Sequence, residues 1–393
     1  MKGRLFFVDS KAKRIIDKTN IISVKCPQPV SKQTNSKGET HSNPMQWVQT
    51  IADLSADMLQ TEIGDYAFLC EMKEASPQEA INSEKNWEKR EQKPCYIFGV
   101  YRIISKPFYK ANGEDDDCPF KVRVEKAYSF KNPIREYDIL NNPYMNGRLW
   151  NIIGKKISGK SRGSVPLLEE EIVFLIQQLA SVNTEKSYSF QEKKKSKRVY
   201  NTISINYKNN QPNSQKIKYL SDFHPKDISF FKLENGKIKL LYEKVLEAIF
   251  NQEMVNKNSN FYNQIGIDVN KVTWFANYLV YSFDRCEMDY IVMQSDDNQV
   301  ADRVFVIEFS INKIDFDHIE KAFRYSKWVK ENIFAGSHIV KPILICAEDY
   351  KTEAKRKEVE EYIKDKTKES NMGLSAYIYK ASKKGLDFKK LDY

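Results

Sequence analysis

Asp289 and Glu308 are the two residues of this 393-residue chain whose setting most invites chemistry. Asp289 interrupts the apolar run Met288-Asp289-Tyr290-Ile291-Val292-Met293, and Glu308 interrupts Val304-Phe305-Val306-Ile307-Glu308-Phe309. A carboxylate among apolar neighbours is costly to bury unless it is paired, hydrogen-bonded or bound to a cation. Strand residues have their directions fixed by the sheet, so two adjoining strands can aim two carboxylates at one point. Mg2+ (or Mn2+) takes hard oxygen ligands, typically one or two carboxylates plus waters. Such an ion polarises a phosphoryl oxygen and activates a water for attack. Metal-dependent hydrolysis of a phosphodiester is therefore the chemistry the pair suggests. The competing reading is that Glu308 is a structural carboxylate in an α/β domain.

The elements around the pair follow a regular order. Asn235-Gly236 between Ile228–Leu233 and Lys237–Leu241 is a strong hairpin signal. Tyr242–Phe250 reads as a helix with Leu241, Val245 and Ile249 on one side. Strands are expected near Val272–Tyr281, Met288–Met293 and Val304–Phe309, then a helix over Phe316–Glu331, a strand over Pro342–Cys346, a helix over Glu353–Lys366 and a strand over Ala376–Tyr379. That alternation predicts a mixed sheet with helices packed on it.

These residues resemble the PD-(D/E)XK nuclease superfamily, including its NucS-type and Shedu-type members, over roughly 235–380. The family pattern is an acid on one strand, an acid-x-lysine on the next, and a helix with a Gln-xxx-Tyr-like element. Asp289 and Glu308 match the acids, and Lys321-Ala322-Phe323-Arg324-Tyr325 looks like the helix element. The resemblance implies an α/β restriction-endonuclease-like mixed sheet, metal held by Asp289 and Glu308, and Tyr325 and Arg324 supporting the site or touching phosphate. Glu243 or Glu247 on the preceding helix would be the extra acid many members carry. Ser310 stands where the family has its lysine, which orients the attacking water and offsets charge. Either Lys313 or Lys321 takes over that role, or the domain has lost its chemistry and keeps nucleic-acid binding. An ammonium within about 4 Å of the Glu308 carboxylate would favour the first.

The N-terminal part reads as mainly β. Strands are expected at Ile21–Lys25, Tyr66–Glu71, Tyr96–Ile104 and Phe120–Val124, with helices over Asn43–Gln60 and after Pro166, where Glu169-Glu170-Glu171 precede an apolar stripe. Together with Leu149-Trp150 and the basic loop Gly154 to Gly163, this order looks like the EVE group of the PUA-like superfamily over roughly 15–182. The resemblance implies a β-barrel with helices that takes a modified base into an aromatic pocket. A flipped base needs stacking surfaces and a few directed hydrogen bonds. Trp47, Tyr101, Phe108 and Trp150 are the candidates for stacking, and Lys155, Lys156, Lys160 and Arg162 for phosphate contact. Each aromatic has the alternative of filling a core, and the basic loop that of being merely solvated.

The whole is thus expected to be α+β: a recognition domain over 1–182, a basic linker over 183–220 around Lys193-Lys194-Lys195-Ser196-Lys197-Arg198, and a nuclease-like domain over 221–393. The net charge of +10 favours a polyanionic partner. DNA is the expected one, possibly modified, with RNA the alternative. Six cysteines and four histidines are scattered with no CxxC pair, which argues against zinc and for buried free thiols. No secretory apolar segment and no run of about 18 apolar residues is present, so a cytoplasmic protein is expected. Cleavage of two strands implies a homodimer, and defence against foreign DNA is the context the resemblance suggests.

Overall fold

A computed structural model describes residues 2–8, 10–24, 53–72, 95–109, 120–135, 163–183, 237–240, 242–281, 286–295, 303–333, 339–350, 352–382 and 385–392, with short pieces at 33–34, 40–41, 139, 188–189, 218–219 and 231–234. In chain order the early strands are β1 (Gly3–Val8), β2 (Ile21–Val24), β3 (Gln33–Thr34), β4 (Thr40–His41), β5 (Tyr66–Met72), β6 (Cys95–Ile103), β7 (Phe108–Tyr109), β8 (Phe120–Phe130), β9 (Ile134–Arg135), β10 (Ser164–Leu167), β11 (Tyr188–Ser189) and β12 (Lys218–Tyr219). The later ones are β13 (Phe231–Glu234), β14 (Lys237–Leu240), β15 (Val272–Tyr281), β16 (Cys286–Gln294), β17 (Arg303–Lys313), β18 (Ile339–Glu348), β19 (Ser375–Ser382) and β20 (Gly385–Lys390). The helices are α1 (Ser10–Thr19), α2 (53–59), α3 (Glu169–Ser181), α4 (Glu243–Val255), α5 (Ser259–Asn263), α6 (Phe316–Asn332) and α7 (Glu353–Ser370). None of these is long and apolar enough to cross a membrane.

The chain forms two compact units. The first is a mixed sheet in the order β10-β1-β5-β6-β8-β7-β12, with β2 and β11 also on β8 and β9 on β6. Its β1–β5 pair is parallel, and the remaining ladders are antiparallel. Leu5, Phe68, Val100 and Leu167 fill the core with Ile172, Leu175 and Leu179 of α3. α3 lies so close to β1 that a Cβ on Gly3 would meet the Ile172 side chain at 2.9 Å. Glu171 accepts from the Leu168 backbone N–H at 2.7 Å, so one of the three acids of the helix start caps it from inside. β1 and α1 were not among the sequence expectations, because Arg4 and the lysines of α1 dilute the apolar pattern.

Asp65 closes the turn before β5 by accepting from the Glu62 backbone N–H at 2.9 Å. Burial raises its pKa to about 6, against the pull of that hydrogen bond. A folded pKa above the unfolded value means that the stability is complete below about pH 4 and is lost as pH rises through about 6, worth about 3 kcal/mol. Asp65→Asn should remove that loss while keeping the acceptor. Denaturant midpoints of both chains at pH 4 and pH 7 check this: the wild type should fall relative to the variant.

The second unit takes residues 33–34, 40–41 and 53–60 together with the described residues from 231 to 392. α2 therefore packs with the C-terminal part, although the sequence places it inside 1–182. The sheet runs β13-β14-β19-β18-β17-β16-β15, with β20 on β19. β17, β18 and β19 are parallel, and the other pairs are antiparallel. This is an α+β arrangement with helices on both faces. One face carries Phe275, Tyr290, Val292, Ile307, Phe309 and Ile345 against Val245, Leu246, Ile249 and Phe250 of α4. The other carries Leu344, Cys346 and Ala376 against Ile319 and Phe323 of α6 and Val359 and Ile363 of α7. Every expected strand and helix from 237 onward is found, most with ends extended by a few residues, and α5 and β20 are additional. Cys70 and Cys346 are buried free thiols.

Candidate active site

Asp289 and Glu308 come together at the end of a ladder. β16 and β17 pair from Gln294↔Arg303 down to Tyr290↔Ile307, and the two acids are the next residues along each strand. Tyr290 and Ile307 point into the α4-side core, so alternation sends Asp289 and Glu308 to the opposite face. Leu344 of β18, in register with Glu308, lies in the α6-side core, which agrees with that direction. The Phe309 backbone N–H donates to Asp289 Oδ2 at 2.9 Å, tying the two strands by a side chain at this point.

Both carboxylates are buried, Asp289 at 6 % and Glu308 at 3 % exposure. Burial, followed by repulsion from Glu243 and Glu247, lifts Asp289 to about 8, against Lys244 and the Phe309 N–H. Burial and then Asp289 carry Glu308 well above the carboxylate range, and Lys321 pulls it back. Lys321 Nζ of α6 stands 3.6 Å from Glu308 Oε1. Glu308 Oε2 is buried and has no hydrogen-bond partner among the described residues. Lys313 is different. It lies five residues beyond Glu308, about 16 Å along an extended strand, in register with Glu348 and over the Tyr350 ring at 5.5 Å. The cation near Glu308 is thus Lys321, and Lys313 does not stand beside it. Ser310 is buried, and its Oγ accepts from the Asn312 backbone N–H at 3.2 Å.

A second set of polar groups comes from α4, α2 and β15. Glu247 is fully buried. Its Oε1 pairs with Lys244 Nζ, and its Oε2 accepts from Asn277 Nδ2 at 2.7 Å. Asn277 Oδ1 in turn accepts from Gln60 Nε2, and Asn251 Nδ2 donates to the Ala56 carbonyl at 2.9 Å. Asn277 pairs in register with Tyr290, the residue after Asp289. Of the two acids expected on this helix, Glu247 has both oxygens engaged. Glu243 is raised by burial, and it feels Lys244, Glu247, His318 and Lys321.

The donor set suits a hard divalent cation on one count: two carboxylates on adjoining strands, one with a buried oxygen that has no hydrogen-bond partner among the described residues. Such a charge would also oppose the upward shift that burial imposes on both carboxyls, because a bound ion inverts the local electrostatics. Among the described residues no group of three or more His, Cys, Asp or Glu side chains converges on one ion. A cation here would take Asp289, Glu308 and waters.

The other expected site residues are dispersed. Tyr325 is buried on α6, and the exposed Arg324 lies over its ring at 5.3 Å. In the first unit Tyr101 and Phe108 are 3 % and 2 % exposed, so neither ring has a face open for stacking a base. Tyr101 covers Gly99, where a Cβ would meet its Cε2 at 2.7 Å. Trp47, Trp150, Lys155, Lys156, Lys160, Arg162 and the run Lys193–Arg198 lie outside the described residues. Lys244, Asn277 and Gln60 were missed by sequence reasoning. Asn277 did leave a signal, as a lone amide in Trp274-Phe275-Ala276-Asn277-Tyr278-Leu279-Val280.

No family model matches the chain, and no curated protein matches it. Solved structures similar to part of it include the following two. Protein Atu2648 from Agrobacterium tumefaciens is 14 % identical, with a TM-score of 0.24, over 48 % of this chain and 99 % of its own. Human THYN1 protein, solved in complex with 5-methylcytosine-containing DNA, is 13 % identical, with a TM-score of 0.24, over 46 % of this chain and 98 % of its own.

Proposed function

We propose that the second unit is a Mg2+- or Mn2+-dependent phosphodiesterase acting on DNA, an endonuclease, and that the first unit contributes recognition of the nucleic acid, including a modified base. The observation that carries this reading is the Lys321 ammonium 3.6 Å from Glu308, on a strand beside Asp289, with one Glu308 oxygen buried and unpartnered among the described residues. A bound divalent ion would supply Lewis acidity to the phosphoryl group and acidify a water. Asp289 and Glu308 would hold it, with the Phe309 N–H fixing the angle of Asp289. Lys321 takes the place that Ser310 leaves without a cation. It holds Glu308 and offsets the negative charge that builds on the phosphoryl oxygens. The water oxygen bonds to phosphorus as the bond to the leaving deoxyribose oxygen breaks; the water gives up a proton to solvent, and the leaving oxygen takes one. The net charge of +10 supports a polyanionic substrate. Paired cuts in a duplex call for two such sites, hence a homodimer, and cleavage of foreign DNA in defence is the role this would serve.

The test is cleavage of modified and unmodified DNA and of RNA with Mg2+ or Mn2+. Lys321→Ala should lower the single-turnover rate about 10²–10³-fold, and Lys313→Ala should leave it unchanged. Loss with Lys313→Ala and none with Lys321→Ala would reverse the assignment. A second reading, nucleic-acid binding without cleavage, is favoured by one observation: among the described residues no third ligand joins Asp289 and Glu308. Retained DNA binding with no cleavage on any substrate in either metal would establish it.

A further inference from the structure

In the first unit β8 pairs with both β2 and β7. Lys121 is in register with Ser23 on one side and with Phe108 on the other, and Arg123 is in register with Ile21. Residues opposite one another in an antiparallel ladder share a face, and so do residues two apart on a strand. Ser23, Phe108, Lys121 and Arg123 therefore stand on one face. Phe120, Val122 and Val124 stand on the other with Ile22 and Val24, and all five are buried core. Lys121 is only 8 % exposed. Neither Lys121 nor Arg123 makes a side-chain hydrogen bond or an ion pair among the described residues. A buried cation is costly without a partner. A lysine stem laid along apolar surface with its head in water would account for Lys121 taken alone. It does not account for the neighbours. Ser23 Oγ and Arg123 Nε are both sealed from solvent, and among the described residues neither has a hydrogen-bond partner. Lysine and arginine only donate, and a serine hydroxyl can donate. Three donors thus gather within one cross-strand or two-residue spacing, about 5–7 Å, and lack an acceptor. Glu125, the acid on this face of β8, lies beyond Arg123 and is in register with Arg102. Ser105 Oγ is taken by the Arg123 backbone N–H at 2.9 Å.

We propose that this face of the first unit holds a backbone phosphate of the bound nucleic acid, with Lys121, Arg123 and Ser23 donating to its oxygens. A phosphodiester carries charge and acceptor oxygens and no donor, which complements a set of donors that has two cations. Phe108 is the apolar wall beside Lys121 and takes no part in stacking. A phosphate contact of this kind fixes where the strand lies and carries no sequence information. The inference rests on the nucleic-acid recognition assigned to the first unit above and deepens it. It does not require the second unit to cleave.

The experiment compares wild type, Lys121→Met, Arg123→Met and Ser23→Ala as full chains in chelator, so that cleavage does not intervene. Binding of fluorescent DNA and RNA oligonucleotides of several sequences is followed by anisotropy over a range of salt concentrations, with melting curves to establish folding. Lys121→Met keeps an apolar stem and should melt no lower than the wild type. It should bind about 10–100-fold more weakly, the scale of a hydrogen bond to a charged group. The loss should be the same for every sequence, and the slope of log K against log salt should shrink by about 1. Arg123→Met should behave likewise, and its partly exposed position makes it the second test if the lysine variant does not fold. Ser23→Ala should lose less than either. Inorganic phosphate, titrated by calorimetry, separates a free ion from a backbone phosphate. If phosphate binding is lost in Lys121→Met while DNA affinity is unchanged, the site takes the free ion and the proposal falls. A folded Lys121→Met with the wild-type affinity and salt slope overturns it as well, as does a loss confined to one sequence, and in these cases nucleic-acid recognition by the wild type still stands. A wild type that binds neither DNA nor RNA overturns both.

Discussion

Glu308→Gln should abolish metal-dependent cleavage and make the metal-free chain more stable. The loss of rate follows from removing a charged ligand: the several kcal/mol a bound cation contributes to the transition state correspond to at least about 10³-fold. The gain in stability follows from the same burial. Glu308 carries an oxygen without a partner among the described residues, and its pKa is raised by burial and by Asp289. The sign with pH is fixed by the direction of the shift. A carboxyl whose folded pKa is raised favours the fold while it is protonated, and that contribution is lost as pH rises through the folded value. Glutamine does not titrate, so the variant's advantage should grow with pH in metal-free buffer. Melting curves with chelator, repeated with Mn2+, check both halves. The wild type should gain from Mn2+ and the variant should not. Cleavage retained in the variant would remove Glu308 from the site, and a lower melting point at high pH would contradict the electrostatic account.

Phe250→Ala should cost about 3–5 kcal/mol, the range for emptying a large aromatic from a core. Phe250 is fully buried at the centre of the α4-side core. Its ring meets Phe309 at 4.7 Å, Phe261 at 5.0 Å and Tyr262 and Tyr290 at 5.6 Å, all edge-on. Its carbonyl also accepts from the Tyr262 hydroxyl at 2.5 Å. Phe309 and Tyr290 are the neighbours in sequence of Glu308 and Asp289, so the cavity would loosen the strands that aim both acids. Phe250→Leu, which refills much of the space, should recover most of the loss. Chemical denaturation followed by a probe in the second unit measures the difference, and a cost below about 1 kcal/mol would mean that the ring is not buried as described.

The second unit was legible because its strands are fully buried and its helices amphipathic. Val-Phe-Val-Ile on β17 and Pro-Ile-Leu-Ile-Cys on β18 have no stable place except inside a sheet covered on both faces. The acids were legible for the complementary reason, since each breaks such a run. The first unit was less so. β1 and α1 carry charges that blur their periods, and Tyr101 and Phe108, open to either reading by residue type, are core.

Sequence alone determined the order of elements in the second unit and the two strands that carry Asp289 and Glu308, because burial imposes a local pattern that can be read residue by residue. It did not determine which lysine serves them. Lys313 is near Glu308 in the chain yet extends away along the strand, whereas Lys321 returns on a helix to 3.6 Å. Nor did it join Gln60 to Asn277 across 217 positions, or turn Glu247 from a candidate ligand into the anchor of Lys244. Those are pairings between distant segments. They are set by the packing of α2, α4 and α6 around one sheet, and distance along the chain carries no information about them.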